Sequence, residues 1–313
     1  MNNYLGLDTS NYTTSAAVYF GDAGEIRQEK KLLPVKEGER GLRQSDALFH
    51  HTRQLPEVAD TLLSSGDFRA IGVSTRPRNV EGSYMPCFMA GETSASLLST
   101  ALGVPLYKTS HQVGHILAAL YSCQLLDLAL GDKPFIAFHL SGGTTDCLLC
   151  TPDREEVIKC EEIASSLDLK AGQAVDRVGV MMGLRFPCGP ELERLALEST
   201  EKFKITPAMR DGSCSLSGIE NICQKMLKDG RPNCDIALYC IKYIEAALIK
   251  MTEYALGAHG DLPLIYAGGV MSNGIIKEAI TKRFTAHFAD PALSSDNACG
   301  VAVFAAIKDG KIK

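Results

Sequence analysis

The stretch Lys133-Pro-Phe-Ile-Ala-Phe-His-Leu-Ser-Gly-Gly-Thr-Thr-Asp-Cys-Leu-Leu-Cys150 decides how the chain is organised. Its apolar run reads as a strand entering a small-residue turn at Ser141–Thr144, and a second strand leaves that turn. The N-terminus follows the same plan. Tyr4–Asp8 is a short apolar strand and Asp8-Thr9-Ser10 a tight turn. Thr13–Phe20 is a second strand rich in β-branched and aromatic residues, Gly21–Gly24 a turn, and Ile26–Leu33 a third strand. The chain begins the same βββ unit twice, which implies two similar lobes with a cleft between them. Gly142 and Gly143 let the backbone approach a ligand closely and aim N–H groups at it. The Asp8–Ser10 turn also suits an anion, because its backbone N–H groups converge, although such turns are common.

Working outward, Asp46–Ser64 and Gly91–Leu102 have helical patterns, Ala70–Ser74 is a buried strand, and Val104–Tyr107 a short one. The loop Thr75–Ser83 carries two arginines and reads equally as a functional loop or a solvated one. His111 opens a helix expected to run to about Leu130, with Thr109 or Ser110 as N-cap. His111 and His115 stand four residues apart, so one helix face can carry both imidazoles. The pair reads either as metal ligands or as polar residues at a helix entrance. It lacks the Glu of the H-E-x-x-H protease pattern, and Gln112 stands in that place.

Gly172–Gly183 is a glycine-opened helix, and Pro190 starts another. Asp176 is either a surface acid or a ligand for sugar hydroxyls. Helices are expected at about 219–228 and 234–258. Leu262–Asn273 is a buried strand, a diglycine turn and a helix start, where Asn273 sits beside a surface fit for a nucleobase or ribose. The last helix begins near Asp296 and has a small-residue face. Asp296 is either its cap or a third ligand beside the two histidines.

With 313 residues and 45% hydrophobic composition, the chain is long enough for one large or two medium domains with real cores. A net charge of −5 argues against strong unaided binding to nucleic acid but leaves room for a local basic patch. Met1–Asp8 has no charged n-region or apolar h-region, so no leader is expected, and no apolar run approaches a membrane span. Eleven cysteines then read as free thiols in a reducing cytoplasm. Cys147 and Cys150 form the C-x-x-C within a strand, where they face opposite sides, and are expected to be buried thiols.

Taken together, these motifs resemble one family. The pieces are H-x-x-G-H at His111–His115, L-S-G-G-T at Leu140–Thr144, G-x-A-x-D at Gly172–Asp176 and P-x-G-P at Pro187–Pro190. S-x-S-G follows at Ser215–Gly218, G-G-V-x-x-N at Gly268–Asn273 and D-N-A at Asp296–Ala298. In this order they resemble the TsaD/YgjD family, a glycoprotease-like branch of the actin, Hsp70 and sugar-kinase superfamily. The resemblance implies an α/β, actin-like two-lobed fold with duplicated ribonuclease-H-like βββαβα units. Lobe I would be residues 1–130, completed by the C-terminal helix 296–313, and lobe II residues 131–295.

The resemblance further implies transfer of threonylcarbamoyl from its adenylate to an adenosine of tRNA. His111, His115 and Asp296 would hold one divalent metal ion, iron, zinc or manganese. Leu140, Ser141, Gly142, Gly143 and Thr144 would wrap the phosphate and acyl group. Asp176, Gly189 and Glu193 would contact ribose and nearby groups, and Asn273 the adenine side. No residue is singled out as a catalytic acid or base. Expected partners are tRNA, the acyl-adenylate, and either a homologous subunit with an ATPase or a second copy of the chain. The chain departs from the family at Asn11-Tyr12-Thr13, where Cys-Asp-Glu is usual, at Val113 in place of Glu, and at Thr75–Arg78 in place of a Gly-rich loop. The segment 38–53 also differs from the family's Gly-Gly-Val-Val-Pro-Glu region. These departures raise a non-catalytic nucleotide-binding paralogue, or a transferase with another acceptor, as alternatives. A metalloprotease is the weakest, for want of a general base.

Overall fold

The structure is a computed structural model that describes residues 2–10, 12–34, 42–64, 66–294 and 298–312. It opens with β1 (Asn3–Asp8), β2 (Thr13–Phe20) and β3 (Glu25–Leu32), each antiparallel to the next. After α1 (Gln44–Leu63), β4 (Phe68–Arg76) lies parallel to β1. After α2 (Phe88–Leu102), β5 (Leu106–Ser110) lies parallel to β4. The sheet order is β3-β2-β1-β4-β5. β1 is central and fully buried, which is why it reads as an unbroken apolar run. β3 is the edge, and its Glu25, Arg27, Glu29 and Lys31 discourage pairing with another chain.

Helix α3 (His111–Ser122) follows, then the short α4 (Asp127–Leu130). The sequence pattern predicts one helix across both. The structure breaks it, because Cys123 closes α3 and Gln124 takes a left-handed φ of 58° that redirects the chain.

The second βββ unit is β6 (Phe135–Leu140), β7 (Thr145–Asp153) and β8 (Val157–Ser165). Then come α5 (Ala171–Met181), α6 (Gly189–Ala196) and a small hairpin of β9 (Ala208–Arg210) with β10 (Ser213–Ser215). Helix α7 (Ser217–Lys228) leads to the long α8 (Asn233–His259) and to β11 (Leu264–Ala267). A turn of 3-10 helix at Gly269–Ser272 leads into α9 (Gly274–Thr281) and β12 (Ala286–Phe288). The chain ends through α10 (Pro291–Ser294) and α11 (Ala298–Lys308). The second sheet has the order β12-β11-β6-β7-β8. Counted from either βββ unit, the order is third, second, first, fourth, fifth. The duplication read from the two turns is therefore a duplication of whole sheets.

The chain divides into two compact units. Unit 1 is Met1–Lys133, Thr151–Cys160 and Ala292–Lys313, and unit 2 is Pro134–Cys150 and Glu161–Pro291. The core of unit 1 includes Leu5, Leu7, Val18, Leu55 and Val73. The core of unit 2 is built around α8, with Ile241, Ile244 and Leu248 meeting Ile136 and Phe138. Phe138 and Tyr266 stack at 4.7 Å, and Tyr266 and Phe288 at 5.1 Å. None of the eleven cysteines is in a disulfide, and Cys147 and Cys150 are both buried. Among the described residues no helix is long and apolar enough to cross a membrane.

In unit 1, α11 packs on both α3 and β1. Its run Ala298-Cys-Gly-Val-Ala-Val is fully buried. The small residues are there because a Cβ on Gly300 would collide with the carbonyl oxygen of Gly114.

Candidate functional site

In unit 2 the candidate residues form a chain of contacts. Leu140 is fully buried, so what it offers a ligand is backbone. Its carbonyl lies against Gly268, whose φ of 97° and lack of Cβ both require glycine. Ser141 N–H donates to the Thr144 carbonyl at 2.9 Å, closing the turn. Ser141 Oγ accepts from the N–H of Gly143 at 3.1 Å and of Thr144 at 3.2 Å. It also lies 2.9 Å from Thr144 Oγ1, which in turn lies 3.2 Å from His139 Nδ1. Gly142 and Gly143 stand exposed at the tip.

The start of α5 is bolted to this turn. Gly172 N–H donates to the Ser141 carbonyl at 3.2 Å, and Ala171 N–H to Thr145 Oγ1 at 2.8 Å. A Cβ on Gly172 would stand 2.7 Å from the Ser141–Gly142 backbone. One turn further, Asp176 Oδ1 accepts from Cys188 N–H at 2.8 Å, which joins α5 to the start of α6 at Gly189. Burial pushes the Asp176 carboxyl up, and the Cys188 N–H offsets part of that. On α6, Glu193 Oε1 accepts from Gly274 N–H at 2.6 Å. Asn273 caps the same helix, its Oδ1 accepting from Ile276 N–H at 3.1 Å. Glu193 and Asn273 are thus brought to one place, the N-terminus of α9.

Residues that sequence reasoning passed over include Thr145, His139 and Asp168. Thr145 and His139 lay within the quoted stretch, but only its glycines signalled contact with a ligand. The carboxylate of Asp168 accepts from Leu216 N–H at 2.7 Å and Ser217 Oγ at 2.6 Å. It fixes the S-x-S-G segment at the start of α7. Its partner segment lies some fifty residues on, so no local spacing could reveal it.

In unit 1, Ser110 is the N-cap of α3 and accepts from Val113 N–H at 3.2 Å. His111 Nδ1 lies 3.1 Å from Asp8 Oδ2, and its Nε2 lies 3.4 Å from Ser10 Oγ. The His111 and His115 rings stand edge to face with centroids 4.7 Å apart. Burial opposes ionisation of Asp8. Even so, the charge and hydrogen bond of His111, with hydrogen bonds from Ser10 and Ser74, hold its carboxyl down to about 2. Asp8 is thus a buried carboxylate already partnered by imidazole. Thr9 Oγ1 accepts from Gly91 N–H at 3.1 Å and donates to the Cys87 carbonyl at 3.0 Å, so the turn is held rigidly against α2.

Asp296 lies outside the described residues, as do Asn11 and residues 35–41. Among the described residues no group of three His, Cys, Asp or Glu side chains converges as a metal cage. Val113, which stands where the family has Glu, is 1% exposed. Arg76, the last residue of β4, is held by Asn79 Oδ1 at 3.0 Å and by the Glu156 carboxylate at 3.2 Å.

Comparison with known proteins places this geometry. The family model for TsaD, tRNA N6-adenosine threonylcarbamoyltransferase, matches residues 34–303. A tRNA N6-adenosine threonylcarbamoyltransferase of Geotalea uraniireducens is 33% identical over 230 residues, covering 69% of this chain and 64% of that one. One of Thermus thermophilus is 27% identical over 308 residues, covering 96% and 91%. A probable bifunctional tRNA threonylcarbamoyladenosine biosynthesis protein of Thermoplasma acidophilum is 26% identical over 286 residues, and the chain spans 50% of its length. Among solved structures, the Acidaminococcus fermentans (R)-2-hydroxyglutaryl-CoA dehydratase component A superposes with a TM-score of 0.59 at 12% identity, covering 99% of this chain and 100% of that one. HypF of T. kodakarensis does so with 0.60 at 12%, covering 100% and 48%. At such identity these two show the fold alone, and it is the α/β actin-like fold. The match along most of the sequence is decisive: the chain belongs to the TsaD family of tRNA N6-adenosine threonylcarbamoyltransferases.

Proposed function

We propose that the chain transfers a threonylcarbamoyl group from its adenylate to the exocyclic amine of an adenosine in tRNA, in the cytoplasm. The observation that carries this reading is the Ser141–Thr144 turn, pinned to α5 at Gly172 and to Gly268. It offers a phosphate-bearing ligand hydroxyls and exposed glycines on a rigid base. Around it, Asp176, Gly189, Glu193 and Asn273 supply polar groups suited to ribose and adenine. In the reaction the adenosine nitrogen attacks the carbamoyl carbon. The bond from that carbon to the phosphate oxygen breaks, AMP leaves, and the amine gives up a proton. A turn that holds the phosphate in the departing AMP stabilises the charge developing on it.

His111, His115 and Asp296 would hold one divalent ion, iron, zinc or manganese. Two features support the fit. The histidine rings are 4.7 Å apart. Asp8 also faces His111 Nδ1, the arrangement in which a carboxylate orients the ring and raises the basicity of a ligating imidazole. When bound, such an ion supplies Lewis-acid polarisation of the carbamoyl carbonyl. With a net charge of −5, docking of tRNA calls for help from partner subunits, a homologous binding subunit and an ATPase, or from a second copy of the chain.

The test is incubation of the chain with threonylcarbamoyl-adenylate, unmodified tRNA and the partner subunits of a family member, with nucleosides read by mass spectrometry. Modified adenosine is the expected product. None, where the family member itself succeeds, overturns the reading. A non-catalytic nucleotide-binding role is the second reading. It draws on Arg76, which Glu156 and Asn79 hold where the family has a Gly-rich loop. It predicts nucleotide binding without turnover.

A further inference from the structure

We propose that His139 is a positioning residue, one that orients the hydroxyl of Thr144 toward an anionic ligand in the Ser141–Thr144 turn. The inference rests on the reading of that turn as a phosphate site. His139 lies on β6, is 4% exposed, and stands opposite Asp146 across the β6–β7 pair. Its Nδ1 is 3.2 Å from Thr144 Oγ1.

The proton count of the turn gives the argument. Ser141 Oγ accepts from two backbone N–H groups, of Gly143 and Thr144. A hydroxyl has two lone pairs and one proton, so Ser141 has only its proton left to share. Thr144 Oγ1, 2.9 Å away, receives it. Thr144 then has one lone pair and one proton left, and His139 Nδ1 takes one of the two. If Nδ1 carries a proton, it fills the lone pair and the Thr144 proton is presented outward. If Nδ1 is bare, it consumes that proton, and the turn shows an anion only acceptors on its side chains. The proposal is the first arrangement: the Nδ1–H tautomer of His139 donates to Thr144, and Thr144 donates to a ligand phosphate oxygen. His139 itself touches no ligand.

Two measurements test it. The first is nitrogen NMR of the full chain with 15N-labelled histidine, at about pH 8 where imidazole is neutral. The signal lost in His139→Asn identifies the residue. The Nδ1–H tautomer is expected, and the Nε2–H tautomer overturns the proposal. The second is calorimetry with AMP and adenosine, whose affinity ratio isolates the phosphate. Thr144→Val is expected to lower the AMP preference roughly tenfold, the size of one hydrogen bond to a charged group. His139→Leu is expected to do the same, and to add nothing in the Thr144→Val background. His139→Asn, which can donate from nearly the same point, retains most of the preference. If Ser141→Ala and Thr144→Val both leave the preference intact, the phosphate reading itself fails. If Thr144→Val lowers it and His139→Leu does not, the positioning role fails alone. Should His139→Leu not fold, the tautomer and the His139→Asn variant still decide.

Discussion

Gly300 in α11 and Gly114 in α3 meet backbone to backbone, so closely that a methyl group on Gly300 would strike the Gly114 carbonyl. The contact sets the spacing of the helix that carries His111 and His115. Gly300→Ala has no flexible neighbour to displace and should destabilise the chain by at least ~1–3 kcal/mol, the usual cost of overpacking. Thermal or denaturant unfolding reads this. A neutral effect would mean that the two helices slide apart at no cost.

The Ser141–Thr144 turn offers a parallel case with a different readout. Gly172→Ala places a Cβ 2.7 Å from the Ser141–Gly142 backbone. The turn must shift by several tenths of an ångström to relieve the contact. Affinity for AMP should fall at least tenfold, with a stability loss of about 1–3 kcal/mol. Equal AMP affinity in the variant would remove the turn from the binding site.

Glu193 is placed to serve two roles, and one substitution separates them. Its carboxylate receives the Gly274 N–H at the start of α9. Glu193→Gln keeps an acceptor there but loses the charge, so helix capping should survive, with a cost under ~1 kcal/mol. If the same group also receives ribose hydroxyls, adenosine affinity should drop several-fold. Unchanged adenosine binding would make Glu193 a capping residue alone.

Asp168 gives a pH dependence. Burial pushes its carboxyl up, but the Ser217 hydroxyl and the N–H groups of Leu216, Leu169 and Ser217 outweigh it and hold it below the ordinary carboxylate range. A folded-state value below the unfolded one stabilises the fold at all pH above the unfolded value. That contribution is lost as pH falls through the folded value. Asp168→Asn should cost about 0.5–2 kcal/mol near neutrality, as lost helix caps do, and flatten the acid limb of stability against pH. A variant whose acid limb matches wild type would show that the carboxylate plays no part in it.

The proposed metal site predicts a stoichiometry. Purified chain should carry about one divalent ion, measured by elemental mass spectrometry. His111→Ala, His115→Ala and Asp296→Ala should each abolish it. Asp8→Asn leaves the ligands intact and should weaken affinity about 10–100-fold. Retained metal in His115→Ala would dismiss this ligand set.

Much of this was legible in the chain because the repeat unit announces itself locally. A strand, a turn of small residues and a second strand lie within twenty residues, and the pattern recurs. The sheet order then follows from duplication. The helix predicted through Leu130 failed because apolar periodicity persists across Gln124, whose left-handed backbone leaves no mark in composition. Ser110 was one of two N-cap candidates, since Thr109 and Ser110 are chemically equivalent there and only the backbone separates them. Asp8 was seen as a turn acid. Its pairing with His111 joins residues a hundred positions apart and has no periodic trace. Asp168 and Glu193 hold backbone N–H groups on distant helices, and such acceptors are invisible until the fold brings the donors to them.

Each sheet follows its first strand with a turn, and the two turns are electrostatic opposites. One, Asp8-Thr-Ser10, carries a carboxylate pressed against imidazole. The other, Ser141-Gly-Gly-Thr144, carries no charged side chain and clusters hydroxyls and glycines. The same strand order thus carries two turns of opposite electrostatic character, set by three or four residues apiece. A repeated architecture of this kind can acquire a new ligand by exchanging a loop no longer than a tetrapeptide, with every strand and its register left in place.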